Sequence, residues 1–322
     1  MTPIPLPPLT AHRYQFELTL HQNAHLPTYL GAMLRAGFGL TFKRFVCMQP
    51  QLEQCDGCLL LHTCAYPAVF QPVPPPNATV LSTHDRIPVP YILEPPPPRA
   101  AMWEKGETIP FGLTLFGHSQ AYLPYFVLSF QQVARQGLGQ QRTRATLSHV
   151  YAISPDDETS LWEEGALRLD WAQFGHWPTP TFPPTPSPYP MAVLSFHTPA
   201  RLKYKQNFVQ EPPPFHVIFR TLLRRVSSLS YFYANHQWDI DYRDWIEQAK
   251  QVQTISTTAH WQDWQRYSTR QQRHMNLGGI TGSITYQAND LTPFLPLLIL
   301  GQLTHVGKGT SFGNGRYQLH LP

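Results

Sequence analysis

Hydrophobic and polar positions in the first 160 residues follow two different periods. From Tyr14 to Leu20 apolar and polar residues alternate, which is typical of a half-buried strand. Beyond Pro27, which a first helical turn tolerates, apolar residues recur at helical spacing and predict a helix to about Val46. Further patterns predict strands at 88–94 and 108–117, a helix at 122–137 and a strand at 144–153. The resulting order is strand, helix, strand, strand, helix, strand.

The second half of the chain repeats this order. The patterns predict a strand at 191–197, a helix at 215–232, strands near 259–267 and 277–287, a helix at 291–303 and a strand at 317–321. Two copies of the unit make an α+β protein of tandem ferredoxin-like domains. The same open sheet carries the common RNA-recognition module, so the predicted domains are RRM-like.

Proline marks the boundary between the predicted halves. Seven prolines fall within residues 178–190, and such a segment holds neither a helix nor a central strand. We therefore predict an N-terminal domain at 1–177, a linker at 178–190 and a C-terminal domain at 191–322. A length of 322 residues agrees with about two domains.

Composition narrows the class of protein. No apolar run approaches the roughly 20 residues of a membrane-spanning helix, and residues 1–13 lack the features of a signal peptide. We expect a soluble, cytoplasmic protein with no membrane partner.

Charge is distributed unevenly along the chain. Residues 201–322 hold 13 Lys and Arg against 7 Asp and Glu, whereas residues 1–200 hold 11 Lys and Arg against 13 Asp and Glu. This asymmetry favours a polyanion partner for the C-terminal half.

Four cysteines lie within eighteen residues, spaced C-x7-C-x2-C-x5-C, and none occurs elsewhere. The set is Cys47, Cys55, Cys58 and Cys64, inside a predicted insertion at 47–76. A tight C-x2-C with flanking cysteines is typical of a closed, structural zinc site. Free thiols or a disulfide pair are alternatives, and His62 could replace one cysteine as a ligand. A closed four-thiolate site leaves no position for a water, so we expect no catalytic metal.

A glycine-rich segment precedes the final predicted strand. Glycine allows positive φ and lets backbone N–H groups approach a phosphate, and two cations add charge. The spacing does not fit a nucleotide-binding P-loop, and a strand rather than a helix follows. A flexible hairpin connection is the alternative interpretation. The candidate RNA-binding residues here are Gly307, Lys308, Gly309, Gly313, Gly315 and Arg316.

Two further basic segments are candidates for binding a nucleic-acid backbone. Arg201, Lys203 and Lys205 alternate at the end of a predicted strand, so they would face the same side and follow a row of phosphates. In the second segment, arginines lie near Trp and Tyr residues that could stack on unpaired bases. Its candidates are Arg266, Arg270 and Arg273. A solvated surface is the alternative for both segments.

Three of these segments together resemble a known family. They are residues 30–47, continuing through the cysteines to Phe70, then 266–282, and 305–317. In them the sequence resembles the CRISPR-associated endoribonucleases that process precursor CRISPR RNA, which belong to the RAMP superfamily. The likeness is greatest to the subgroup with an early cysteine-rich insertion. The resemblance implies a tandem ferredoxin-like fold with a C-terminal glycine-rich loop and precursor CRISPR RNA as partner.

The resemblance also implies an activity and the residues that carry it. The family cleaves RNA without a metal: the 2′-hydroxyl attacks the phosphate and leaves a 2′,3′-cyclic phosphate and a 5′-hydroxyl. Members commonly use a histidine near the first helix, which by position is His25, with Tyr29 and Lys43 as helpers. His62 and His274 are rivals for that role.

Two other functions stay open at this stage. Some relatives bind RNA without cutting it, so the chain could be a non-catalytic subunit of a CRISPR effector complex. In a different functional class, the chain could be a zinc-stabilised module that binds other proteins and has no role with RNA. Binding that weakens steeply with salt separates a nucleic-acid binder from that module.

Overall fold

The computed structural model describes residues 2–52, 54–79, 87–163, 165–180, 188–263, 265–268 and 273–322. The chain divides into two compact units. We call Thr10–Pro178 with Phe232–Asn235 the N-terminal unit, and Met1–Leu9 with Thr179–Tyr231 and His236–Pro322 the C-terminal unit. Residues 181–187, which make up most of the predicted linker, lie outside the described residues.

The N-terminal unit is a ferredoxin-like fold. Its main elements are β1 (Ala11–Leu20), α1 (Gly31–Val46), α2 (Ala65–Phe70), β2 (Tyr91–Glu94), β3 (Thr108–Phe116), α3 (Leu123–Gln136) and β4 (Ala145–Ile153). The strands pair antiparallel in the order β2–β3–β1–β4. Helix α1 begins at Gly31, so Pro27 precedes the helix rather than lying in its first turn.

Aromatic side chains fill the core between this sheet and its helices. Phe38 on α1 lies at the centre, with its ring centroid 4.1 Å from that of Phe126 on α3 and 5.0 Å from that of Phe70 on α2. Gly39 lets α2 approach α1, because a Cβ at this position would lie only 2.8 Å from the Phe70 ring. The apolar residues that recur at helical and at strand spacing in the sequence therefore pack together in one buried cluster.

The C-terminal unit repeats the same topology. Its main elements are β5 (Met191–Ala200), α4 (Phe215–Tyr233), α5 (Tyr242–Ala249), β6 (Gln253–Thr257), β7 (Gly279–Gln287), α6 (Leu295–Thr304) and β8 (Tyr317–His320). The order across the sheet is β6–β7–β5–β8, again antiparallel. The prediction of tandem ferredoxin-like domains is confirmed.

One predicted strand of this unit was misplaced. The strand expected at 259–267 is divided: β6 lies earlier, His260–Gln262 also pairs with β7, and Gln265–Ser268 forms a hairpin with Arg273–Asn276. All five residues of β6 are exposed, and Ile255 is the one large apolar residue among them. A strand with both faces polar gives no alternating signal.

Short elements complete the description. They are the strand pairs Ala24–His25 with Met102–Trp103, Trp162–Glu163 with Ala166–Leu167 and Lys203–Tyr204 with Asn207–Phe208, and 3-10 turns at Gly117–Tyr122, Trp171–Gln173, Thr292–Phe294 and Thr310–Phe312. Two short strands extend the N-terminal sheet: Glu158–Ser160 pairs with β4, and His176–Trp177 pairs with the start of β1. Among the described residues, no helix has the length and apolar character needed to cross a membrane.

Candidate nucleic-acid interface

The glycine-rich loop, residues Gly307–Arg316, is held firmly against β5. The amide N–H of Lys308 donates to the Arg201 carbonyl at 2.9 Å, and Thr198 Oγ1 donates to the Gly313 carbonyl at 2.7 Å. Gly315 has φ +74°, and a Cβ there would overlap the carbonyl oxygen of Val306. The glycines therefore serve close backbone packing, and the alternative of a flexible hairpin connection is wrong.

Most described amide groups of the loop are used by the protein itself. The N–H groups that donate to protein oxygens belong to Lys308, Phe312, Gly313, Asn314, Gly315 and Arg316. The expectation that backbone N–H groups reach a phosphate is therefore not met by these six. Lys308 and Arg316 are exposed and supply the charge that the loop presents.

Lys308 is surrounded by other cations. Its pKa is lowered by partial burial and by the positive charges of Lys203, Arg201 and Arg224. Burial also lowers the pKa of Arg201. We call Arg201, Lys203, Arg224 and Lys308 the loop cation cluster. The other three cations of the cluster lie within electrostatic range of Lys308, and such a concentration of positive charge attracts polyanions.

The structure corrects the predicted track of Arg201, Lys203 and Lys205. Strand β5 ends at Ala200, and the chain then forms the small hairpin Lys203–Phe208. Lys205 lies in its turn with φ +46°, so the three side chains do not alternate along one strand face. Arg201 instead stacks on Phe208, with its Cζ 4.0 Å from the ring centroid.

Helix α4 contributes cations that the sequence analysis missed. Arg220 and Arg224 are exposed and lie one turn apart, and Arg224 belongs to the loop cation cluster. The Arg220 Cζ lies 5.7 Å from the ring centroid of Tyr204 in the hairpin. The hydrophobic periodicity of this helix reveals only its apolar face. The spacing of four between Arg220 and Arg224 is the sequence signal that places both cations on one polar face.

The third basic segment falls largely outside what the structure describes. Arg270 lies outside the described residues. Arg266 and Arg273 lie on the paired strands Gln265–Ser268 and Arg273–Asn276, whose backbone alone is described.

The predicted catalytic residues of the N-terminal unit lie around α1. His25 is exposed on its two-residue strand, and its backbone N–H donates to Gln141 Oε1 at 3.3 Å. Tyr29 is buried at 9 % exposure. Lys43 lies near the other end of the helix, about 18 Å along its axis from Gly31 at 1.5 Å per residue. The structure therefore does not bring His25 and Lys43 together.

Lys43 has another set of partners. Its Nζ donates to the Leu52 carbonyl at 2.8 Å and lies 5.9 Å from the Tyr66 ring centroid. It also lies close enough to Cys55 to lower that pKa, although burial dominates and raises it. Lys43 thus supports the cysteine-rich insertion.

The four cysteines are half-buried and unpaired. The charges of Cys64, Cys47 and Cys58 each raise the pKa of Cys55, so the four thiols lie in one neighbourhood. However, within the described ranges no three Cys, His, Asp or Glu side chains are arranged to hold a metal ion. The zinc site therefore stays a prediction from the spacing of the four cysteines.

Comparison with known proteins gives matches to both halves of the chain. Residues 8–173, more than half of the chain, match the AF_1859_N family, described as an N-terminal domain. Residues 194–317 match the family model of the CRISPR-associated endoribonuclease Cas6. The search of curated proteins gave no match.

Solved structures share the fold at low sequence identity. A Cas6 product complex aligns with a TM-score of 0.53 and 16 % identity over 97 % of this chain and 99 % of that chain. Thermus thermophilus Cas6 aligns with a TM-score of 0.51 and 14 % identity over the same shares. A partial Cas6-RT-Cas1–Cas2 complex aligns with a TM-score of 0.57 and 14 % identity over the whole chain, which spans 47 % of that longer chain.

The fold that these structures share with the chain is the pair of ferredoxin-like units. The chain belongs to the AF_1859_N family, and its residues 194–317 match the Cas6 family model.

Proposed function

We propose that the protein is a metal-independent endoribonuclease that cleaves CRISPR repeat RNA in precursor transcripts and so releases mature guide RNAs. The Cas6 match over residues 194–317 supports the class of activity. The observation that carries the RNA assignment is the loop cation cluster, which lies inside this matched region. Its four cations can neutralise successive phosphates of one strand.

RNA supplies its own nucleophile for this reaction. A base removes the 2′-hydroxyl proton, the 2′-oxygen attacks the adjacent phosphorus, and the P–O bond to the 5′-oxygen breaks. An acid then protonates the leaving 5′-oxygen. The products are a 2′,3′-cyclic phosphate and a 5′-hydroxyl. One P–O bond forms and one breaks, so the oxidation state of phosphorus does not change. A cation beside the phosphate stabilises the charge that develops on its oxygens.

The activity is tested by incubating the protein with repeat RNA in the presence of a chelator. We expect one cut per repeat and a cyclic phosphate on the 5′ fragment. RNA that carries 2′-deoxyribose at the nucleotide before the cut should stay intact while binding unchanged, because the nucleophile is missing. Cutting of the deoxy substrate, or cutting that stops with the chelator, would contradict the proposed mechanism.

His25 is our candidate for the general acid or base. We expect His25→Ala to slow cleavage about 10²–10⁴-fold with RNA affinity unchanged, because proton transfer is lost but the binding cations remain. Single-turnover rates and binding isotherms measure the two effects separately. His62→Ala and His274→Ala serve as matched controls, and a large loss of rate in either of them alone would transfer the role to that histidine.

A second candidate function is a non-catalytic RNA-binding subunit of a CRISPR effector complex. The separation of His25 from Lys43 and the engagement of Lys43 with Leu52 favour it, since these helpers do not gather around one histidine. Other CRISPR proteins would then be partners besides the RNA, as in the larger assembly whose Cas6 part shares this fold. Tight binding of repeat RNA without any cut, at every pH tried, would support this second function.

A further inference from the structure

A second group of polar and aromatic side chains lies beside the loop cation cluster. Tyr204, on the first strand of the hairpin, is half-buried, and its ring contacts three groups. The His216 ring lies edge-on to it, with centroids 5.6 Å apart and planes at 72°. Lys205 Nζ lies 5.5 Å and Arg220 Cζ 5.7 Å from the Tyr204 centroid.

The two aromatic residues of the hairpin differ in how closely a cation covers them. The guanidinium of Arg201 lies 4.0 Å from the Phe208 centroid, in direct contact, although Phe208 itself is 37 % exposed. The cations beside Tyr204 lie near the outer limit of about 6 Å for cation–π attraction. The cations beside Tyr204 are therefore held less closely by its ring than Arg201 is by Phe208, and a flat ligand can displace a cation from Tyr204.

The turn of the hairpin has a left-handed backbone conformation that is energetically unfavourable for residues other than glycine. Lys205 and Gln206 have φ of +46° and +71°, a left-handed pair that a two-residue hairpin usually builds with Asn and Gly. A non-glycine residue adopts this backbone region only at an energetic cost. This turn places a cation directly after the half-buried ring of Tyr204, and such strain is concentrated at binding sites.

His216 complements this surface as a neutral hydrogen-bonding group. Its pKa is lowered by burial and by the charges of Lys250, Arg220 and Lys205, with Glu247 acting in the opposite direction. Glu247 is itself paired with Lys250 at 2.6 Å. At neutral pH the imidazole can therefore both donate and accept a hydrogen bond, as the edge of a nucleobase requires.

We propose that Tyr204, His216, Arg220 and Lys205 form a subsite for one unpaired nucleotide of an RNA strand. The base stacks on the Tyr204 ring, His216 contacts the base edge, and Arg220 and Lys205 contact the flanking phosphates. The row His216, Arg220, Arg224 along α4 advances by about 6 Å per step, since four residues rise 1.5 Å each. This row leads from the subsite to the loop cation cluster, so the strand continues from one site to the other. The proposal rests on the proposed RNA-binding function.

The first experiment compares variants of the full chain in binding single-stranded RNA. We expect Tyr204→Ala to weaken binding about 10- to 100-fold, as loss of one aromatic stacking platform does, with an unchanged salt slope. Tyr204→Phe, which keeps the ring, should bind within about twofold of the wild type. Tyr125→Ala is the matched control and should also stay close to the wild type, because this exposed tyrosine lies on α3, outside the subsite and the loop cation cluster.

A second measurement uses the unaltered protein and so does not depend on a variant that folds. Single-stranded RNA carrying 5-iodouridine is photocrosslinked to the protein, and the attached peptide is mapped by mass spectrometry. Attachment at Tyr204 or His216 supports the subsite, and RNA crosslinked only elsewhere overturns it.

The outcomes separate this inference from the proposed function. If Tyr204→Ala binds like the wild type while a Lys308→Ala/Arg224→Ala variant loses affinity, the subsite is wrong and the RNA-binding function stands. If the unaltered protein binds no RNA at low salt, both proposals fail together.

Discussion

His12 is a buried histidine whose environment opposes protonation. It lies on β1 at 8 % exposure, opposite His176, and its Nδ1 finds no hydrogen-bond partner in the described part of the chain. Burial, and secondarily the charge of His176, lowers its pKa from 6.5 to about 4. The folded protein therefore keeps this imidazole neutral in a pH range where the unfolded chain takes up a proton.

This difference predicts a stability that falls as the pH falls from about 6.5 to about 4. Above that pH range His12 is neutral in both the folded and the unfolded chain, and its protonation costs no stability. Within the range, protonation of His12 favours the unfolded chain by at most about 3 kcal/mol. Denaturant unfolding of the N-terminal unit at several pH values measures the slope. His12→Phe should flatten it, whereas His320→Phe, at an exposed position, should leave it unchanged. An equally steep slope in His12→Phe would show that other groups are responsible.

Gly315 shows how the loop depends on a single missing side chain. We expect Gly315→Ala to cost at least about 3 kcal/mol, because a Cβ there meets the backbone carbonyl of Val306, which cannot move aside. Gly106 is the matched control: it also has positive φ, at +85°, but nothing lies within 4 Å of its added Cβ. Gly106→Ala should cost only about 1 kcal/mol, from the left-handed backbone alone. Similar losses in thermal unfolding for both variants would contradict the steric argument.

At the scale of elements, α1 is held in place by one face. Phe38 stacks against rings of α2 and α3, whereas Phe45 on the same helix is 50 % exposed. We expect Phe38→Ala to destabilise the N-terminal unit by about 3–5 kcal/mol, through lost burial and the cavity left behind. Phe45→Ala should change stability by less than about 0.5 kcal/mol. Denaturant midpoints compare the two, and a cost above about 2 kcal/mol for Phe45→Ala would mean that its exposed face is covered.

The elements that hydrophobic periodicity could predict are those with a buried face. Strands such as β1 and β7 and helices such as α3 and α4 were predicted within a few residues, since one side of each packs into a core. Strand β6 was missed because it is exposed throughout. Helix α5 was missed as well; Asp241 caps its first turn, a local signal that the periodicity analysis did not use.

The candidate site was predictable only where its residues are close in sequence. The glycine-rich segment and its Lys308 were found from local composition, but the loop cation cluster also includes Arg224, more than 80 residues earlier. Sequence distance hides such a neighbour until the topology places α4 beside the β5–α4 connection and the loop. Conversely, Arg201 and Lys205 were wrongly assigned to one strand face, because nothing in their spacing reveals that β5 ends at Ala200.

At the scale of the whole molecule, charge is distributed unevenly, and this predicts how RNA binding depends on salt. Residues 201–322 carry the cationic excess, and four of these cations form the loop cation cluster. A single strand that contacts four cations gives a slope of about −3 in log affinity against log salt, from about −0.7 per contact. We therefore expect at least this slope for repeat RNA in filter-binding or anisotropy titrations.

The loop cation cluster, rather than net charge, should determine that slope. Lys308→Ala/Arg224→Ala removes two contacts and should make the slope shallower by about 1.4. Arg44→Ala/Arg243→Ala makes the same change in net charge at exposed positions outside the loop cation cluster, so its slope should match the wild type. Should both double variants lose the same slope, RNA would respond to the overall field of the protein, and the cluster would not be a specific site. A slope that shifts only with Lys308 and Arg224 instead locates the phosphate contacts on the last loop of the C-terminal unit and the adjoining face of α4.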